Sequence, residues 1–192
     1  MNQVFRIAMW IVLYSIATSS ATAQTTEDTK PAQVDKKPEQ RALKKEIKAF
    51  QPFVGIWIFD GQWLGGDKLW AKNVYVVGMN GNFVDAKTFA KNEHGKTYQR
   101  YHTIWRFNPE KEKVESFGFS FDGSVTITDS DIDMSDPKHP VIRSQWKQKP
   151  PGQIIKQEVR LIDENNYNWK IWSSADGKDW TPMMDGVWKK QK

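Results

Sequence analysis

The sequence predicts an all-β protein, an antiparallel up-and-down β-barrel preceded by one short helix. From residue 53 onward the chain is a series of short apolar and aromatic runs separated by turn residues. Within the runs, apolar side chains recur at every second position, which is the period of a strand. No stretch after Pro52 has the apolar spacing of a helix. Consecutive hairpins without crossovers favour a closed barrel, because closure removes the exposed sheet edges.

Residues 1–23 have the layout of a secretory signal peptide. Arg6 precedes an apolar run over residues 7–16, and Ala21-Thr22-Ala23 fits the small-residue rule for cleavage before Gln24. The apolar run is shorter than the roughly 20 residues that a membrane helix needs. We therefore expect cleavage after Ala23, a periplasmic or secreted location, and no membrane attachment of the mature chain. An uncleaved anchor is the alternative.

Two short segments connect this signal to the barrel domain. Residues 24–40 are polar and charged and contain no aromatic residue, which predicts a disordered tether. Residues 41–52 are predicted to form a short helix, since apolar residues recur at helical spacing, at Leu43, Ile47 and Phe50. Pro52 disfavours a helical conformation of the residue before it and sets the predicted end. The barrel domain then spans residues 53–192.

Ten runs of the barrel domain are predicted as strands. Nearly every connection between them carries Gly or Asn for positive φ, or Pro for a fixed φ. On the fourth run, one face carries Tyr101, Thr103, Trp105 and Phe107, and the other carries His102 and Arg106. One side of the sheet is therefore predicted to be apolar and the other to face solvent. The predicted strands cover residues 54–63, 68–77, 82–91, 97–107, 113–121, 125–132, 141–147, 153–162, 167–173 and 183–189.

Composition narrows the function classes. The net charge is +5, but basic and acidic residues alternate through the barrel domain, so no basic face for nucleic acid is expected. The chain has no cysteine, which excludes disulfides and an N-terminal lipid-modified Cys. The oligomeric state is not predicted.

The first strand opens with Gly55-Ile56-Trp57, and Gly61 follows closely. This resembles the G-x-W opening of lipocalins and related calycin barrels. From Ala49 to Lys190, the order of motifs resembles that of secreted bacterial lipocalin-like proteins of unknown function. These motifs are Gly78 to Phe83 in the second hairpin, Asn108-Pro109 after an aromatic strand, and Met183 to Lys190 as the closing strand. The resemblance implies that Gly55 and Trp57 form a structural plug at one end of the barrel, covered by a basic residue, here Lys189 or Lys190.

The same resemblance bears on cofactors. A related haem-binding barrel family places its iron-ligating His near the last strand, where this chain has Gly186-Val187-Trp188. We therefore expect no cofactor and no metal centre. The carboxylates from Asp129 to Asp136 do not fit a calcium loop, because Met134 and Pro140 stand where Gly and Glu are needed. They predict an acidic strand end, with a weak surface calcium site as the alternative.

The nine tryptophans of the barrel domain exceed what a core of this size needs. Together with Tyr and Phe they could line a pocket for an apolar or flat ligand, fill the barrel as core, or form an external contact surface. The predicted ligand-binding residues are Trp63, Tyr101, Trp105, Phe119, Trp146 and Trp169.

No catalytic residue is assigned. The sequence has no nucleophile elbow, no Cys, no zinc-binding His pair and no phosphate loop. The sequence thus predicts an exported protein that binds a small, largely apolar ligand in its barrel. The first alternative is a structural or interaction module with a filled core. The enzymatic alternatives are a carboxylate such as Asp60 or Asp85 with His102 or Arg106 at the barrel mouth, and a cone-shaped α+β domain, which requires more helices.

Overall fold

The computed structural model describes residues 42–148 and 152–192. The predicted signal peptide and tether lie outside these residues. The described part begins with a 3-10 helix over Lys45–Phe53, followed by ten strands and a second short 3-10 turn at Met79–Gly81. The strands are β1 (Gly55–Gln62), β2 (Lys68–Gly78), β3 (Phe83–Lys91), β4 (Thr97–Asn108), β5 (Lys113–Ser120), β6 (Val125–Asp133), β7 (Val141–Lys147), β8 (Ile154–Asp163), β9 (Asn166–Ser174) and β10 (Thr181–Lys190).

The strands form one closed antiparallel barrel. Each strand pairs with its neighbours in sequence, and β10 pairs with β1 through Trp57↔Lys190 and Ile58↔Lys189. The predicted fold class is therefore confirmed. The ten predicted runs correspond to the ten strands in order, because the turn chemistry between them is local. Gly123 in the β5–β6 turn, for example, has a φ of 81°.

The N-terminal helix differs from the prediction in type and in its end. It is a 3-10 helix, and it continues through Pro52 to Phe53, whereas Pro52 was expected to set its end. The backbone N–H of Val54 donates to the Gln51 carbonyl oxygen at 3.2 Å, which closes this last turn. The Gln51 side chain also accepts from the Leu43 N–H at 2.8 Å, so the segment is held by local contacts.

Strand alternation divides the wall into an inward and an outward face. The inward face of β1 carries Trp57 and Phe59, which are 0% and 4% exposed, and the paired positions on β2 are Asn73 and Ala71. The buried core follows this face round the barrel and is densest at the end where β1 begins. Among the described residues, no helix has the length and apolar composition needed to cross a membrane.

Candidate functional site

The 3-10 helix closes the end of the barrel at which β1 begins. Its apolar side chains are buried against the interior. The Phe50 ring centroid lies 5.3 Å from that of Trp105, and the Phe53 ring meets Tyr167 edge-on at 5.5 Å. Because these rings fill the interior at this end, access to the barrel lies at the opposite end, which we call the mouth.

Trp57 lies at the centre of the closed end. Its Nε1 donates to the Phe53 carbonyl oxygen at 2.7 Å. Lys190 Nζ lies 5.1 Å from the Trp57 ring centroid and donates to the Pro52 carbonyl oxygen at 3.2 Å. Gly55 has a φ of 130°, and a Cβ at this position would come 2.9 Å from Lys190 Cε. The closed end thus requires glycine at position 55, and the ammonium group of Lys190 covers the indole.

Aromatic rings line one side of the interior, formed by β9, β10, β1 and β2. The Phe59 ring centroid is 5.5 Å from Trp188 and 6.5 Å from Trp169. Nearer the mouth, the Trp63 ring lies 6.2 Å from Trp169. A Cβ at Gly186 would overlap the Phe59 ring, so this glycine leaves the space that the ring occupies. We call this side the aromatic wall.

Hydroxyl side chains and one amide are concentrated on the other side of the interior, formed by β4 to β8, which also carries Trp105 and Trp146. The hydroxyl oxygens of Ser130 and Ser144 are 2.8 Å apart, and Gln157 Oε1 accepts from Trp169 Nε1 at 3.3 Å. This polar wall faces the aromatic wall, so the interior is amphipathic in cross-section. The strand register places on the polar wall Thr103, Ser116, Thr126, Thr128, Ser130, Ser144 and Gln157.

A hydrogen-bonded cluster lies near the closed end. Asn73 Nδ2 is 3.1 Å from the Tyr167 hydroxyl and 3.4 Å from the Tyr75 hydroxyl. Burial raises the pKa of Tyr75 to about 12 and raises the pKa of Tyr167 well above its usual value, so both phenols are neutral at physiological pH. In the described part of the chain, Asn73 Oδ1 and Trp188 Nε1 are buried without a hydrogen-bond partner.

The interior between the two walls is not completely covered. Trp105, Val159 and Trp169 face inward in the middle of their strands and yet are only half-buried. A barrel of about eight strands is just filled by its side chains or holds one small ligand, and the diameter grows with strand number. Ten strands therefore leave inward-facing surface that a small molecule can contact.

Two clefts open at the rim and in the wall. One of about 350 Å³ lies at the mouth, beside Trp63 and Met183. The other, of about 490 Å³, lies where β6 and β7 separate. Their register ends at Ser130↔Ser144, and beyond this pair Thr128 Oγ1 donates to the Gln145 carbonyl oxygen at 2.6 Å. Most residues that line this cleft, among them Asp129, Arg143 and Lys156, have outward register, so the cleft lies mainly on the outer surface of the barrel.

The structure brings most of the predicted ligand-binding residues to the interior. Trp105, Trp146 and Trp169 have inward register, Trp63 directly follows β1, and all four pack against the core. Tyr101 also has inward register, next to the mouth, and is 40% exposed.

Phe119 lies on the outer face of β5 and does not line the interior. Its ring centroid is 6.1 Å from the His102 ring, and the side chain is 42% exposed. Near the β5–β6 turn the usual alternation is reversed, because Phe117, Phe119, Val125 and Ile127 have outward register. The neighbouring Val125 and Ile127 on β6 are also exposed, at 53% and 60%.

The polar wall is the part of the interior that the sequence analysis does not assign. Its residues are small and polar, and they alternate along the strands with aromatic residues, whose type is that expected of core residues. The available signal is the run of hydroxyl residues at every second position, as in Thr126, Thr128 and Ser130. A hydroxyl stripe on one strand does not by itself identify the inward face, since solvent-facing strands also carry Ser and Thr.

The carboxylates considered for catalysis or calcium have other partners. Asp85 Oδ2 lies 2.9 Å from His102 Nε2 on the outer face of β3 and β4, away from the interior. On β6, Asp129 and Asp133 pair with Lys111 and Arg143, both at 3.4 Å. Within the described residues, no group of three or more His, Asp or Glu is arranged to hold a metal ion.

Comparison with known proteins finds similarity of fold. No protein-family model and no curated protein sequence matches this chain. Among solved structures, the chain is similar to the crystal structure of Rv2717c from M. tuberculosis, with a TM-score of 0.58 and 13% sequence identity over 78% of this chain and 99% of that one. At this identity the similarity shows the barrel fold alone.

Proposed function

We propose that this chain is an exported, lipocalin-like binding protein that holds a small, largely apolar molecule in its barrel. The observation that carries the proposal is the closed ten-strand barrel whose inward-facing tryptophans at mid-strand, Trp105 and Trp169, are only half-buried. Ligand pockets are typically apolar and aromatic with a few placed polar groups, and the two walls of this interior have that composition.

The closed end supports the lipocalin-like part of the proposal. A buried Trp57 beneath a lysine, with glycine two residues before it, fits the G-x-W plug that the sequence resembles. Export rests on the signal-like pattern of residues 1–23. The mature protein is then a periplasmic or secreted carrier, without a nucleic-acid partner and without a membrane anchor.

Titration with the neutral apolar dye Nile red tests the proposal. The mature protein should raise and blue-shift the dye emission and saturate at one dye per chain. Trp169→Phe, on the aromatic wall, should weaken binding about fivefold, since an aromatic contact contributes about 1 kcal/mol. Trp172→Phe is the matched control, because Trp172 lies on the same strand but points outward against Lys156.

The competing interpretation is a non-enzymatic interaction module with a filled core. It predicts no saturable dye binding by the folded protein. Equal weakening by the Trp169 and Trp172 variants would also contradict binding inside the barrel, since it would place the dye on the outer surface.

A further inference from the structure

We propose that the ligand is an amphipathic acid whose anionic group stays at the mouth, on Arg100, while its apolar body enters the barrel. This inference rests on the proposed function and adds the chemical class and the orientation of the ligand. It depends on where the charged groups of the barrel lie.

The interior offers no charge for an anion. In the described strands, the inward register carries aromatic, aliphatic, hydroxyl and amide side chains. Lys190 is the exception, because its inward side chain is charged. It lies at the closed end, where its ammonium group contacts the Pro52 carbonyl oxygen and the Trp57 ring. A carboxylate carried into this interior would lose its hydration without gaining a counter-charge, which is costly. An anionic ligand must therefore keep its charge at the mouth.

Arg100 supplies a cation at the mouth. It lies at the irregularity where the register of β3 and β4 shifts, between Tyr101 and Gln99, beside the open end. Its Nε donates to the hydroxyl of Tyr101 at 3.2 Å, and its guanidinium carbon is 5.5 Å from the Tyr101 ring centroid. Because Tyr101 has inward register, this contact holds the guanidinium at the entrance to the interior. Tyr98 is a second phenol close to the same group.

Arg100 also differs from the other described arginines in its partners. Arg106 pairs with Glu115 at 3.0 Å, and Arg143 and Arg160 both pair with Glu158. No carboxylate of the described residues lies within 4.0 Å of Arg100. A guanidinium that is held by a phenol and has no carboxylate partner offers its remaining N–H donors to an anion at the mouth.

Neighbouring groups at the rim leave this charge available. Asp122, in the adjacent β5–β6 turn, accepts the Ser124 N–H at 2.9 Å and stabilises its own turn. The guanidinium group binds carboxylates with directed hydrogen bonds. The hydroxyl groups of the two tyrosines are further, neutral donors to the anionic group of the ligand. At the mouth, the guanidinium of Arg100 therefore lies beside the phenolic hydroxyls of Tyr98 and Tyr101, at the entrance to a lumen whose other described inward side chains, apart from Lys190 at the closed end, carry no charge.

The test is competition between dodecanoate and 1-dodecanol for bound Nile red at pH 8 and low salt, below the micelle concentration. The wild-type protein should bind dodecanoate at least about tenfold more tightly than the alcohol, as expected for one charge-assisted contact. Arg100→Gln should abolish this preference and leave the affinity for Nile red and the alcohol unchanged, which also reports that the variant is folded. Arg160→Gln, on the outer face, should retain the preference.

Arg100→Lys provides a second measurement, because it keeps the charge and should retain part of the preference. Equal binding of acid and alcohol by the wild type, or an undiminished preference in Arg100→Gln, would overturn the inference and leave the proposed function standing. Failure of the wild type to bind Nile red, the acid and the alcohol would overturn the proposed function and the inference together.

Discussion

Trp57 should be the side chain on which the stability of the closed end depends most. Its indole is fully buried, donates from Nε1 to Phe53 at 2.7 Å, and packs edge-on against Tyr167 at 4.8 Å. Trp57→Ala removes the transfer free energy of the ring and leaves a cavity, which together typically cost about 3–5 kcal/mol. A domain of this size has about 5–15 kcal/mol of net stability, so this loss is a large part of it.

Thermal denaturation followed by circular dichroism measures the effect. At about 2–4 °C per kcal/mol, Trp57→Ala should lower the melting temperature by about 6–20 °C. Trp180→Ala is the control, because Trp180 is next to the β9–β10 turn and its ring contacts the Lys156 ammonium at 4.3 Å. An exposed cation–π contact contributes about 0.5–1 kcal/mol, so the control should lose only a few degrees. Equal small losses in both variants would refute the plug.

Two further variants test packing and charge. Glu115 is held by Lys111 at 2.6 Å, and the pKa of its carboxyl is lowered from 4.5 to about 2, chiefly by hydrogen bonds from Lys111 and Asn108. The stabilising contribution of Glu115 is therefore complete above pH 4.5 and is lost as the pH falls towards 2. In Glu115→Gln, the free energy of unfolding measured with denaturant should fall less steeply between pH 4.5 and 2. The same pH dependence in the variant and the wild type would contradict this. Gly186→Ala should destabilise the protein by about 1–3 kcal/mol, because the added methyl group overlaps the Phe59 ring. Gly65→Ala is the control and should leave the stability unchanged, because Gly65 has open space around it. Chemical denaturation measures both variants.

The strands could be predicted from sequence because their signals are local. The run Val141–Lys147 contains β-branched and aromatic residues and is bounded by prolines, so its existence and limits follow from a short window. The 3-10 form of the first helix could not be predicted in this way. Besides its local contacts, the segment is held by a contact from far along the chain, since the Lys190 ammonium donates to the Pro52 carbonyl oxygen, 138 residues away in sequence.

The residues that face the interior could be predicted only where side-chain size and burial agree. Trp63 and Trp169 are large, apolar and inward, so residue type indicates their side of the wall. Phe119 is equally apolar and lies outside, because the β5–β6 hairpin turns its aromatic face outward and its hydroxyl face inward. Arg100 owes its place to a shift in strand register, which has no clear sequence signal. Which face of a strand points inward is set by its neighbours in the closed barrel, not by its own composition.

Native mass spectrometry of the protein purified from the cells that naturally make it is the most direct test of a ligand in the barrel. We expect a second population, heavier than the mature chain by the mass of one small molecule, that is released on denaturation and identified as an amphipathic acid. The Trp169→Phe variant from the same cells should carry less of it. The mature chain alone, in a preparation that also fails to take up Nile red, would contradict the account.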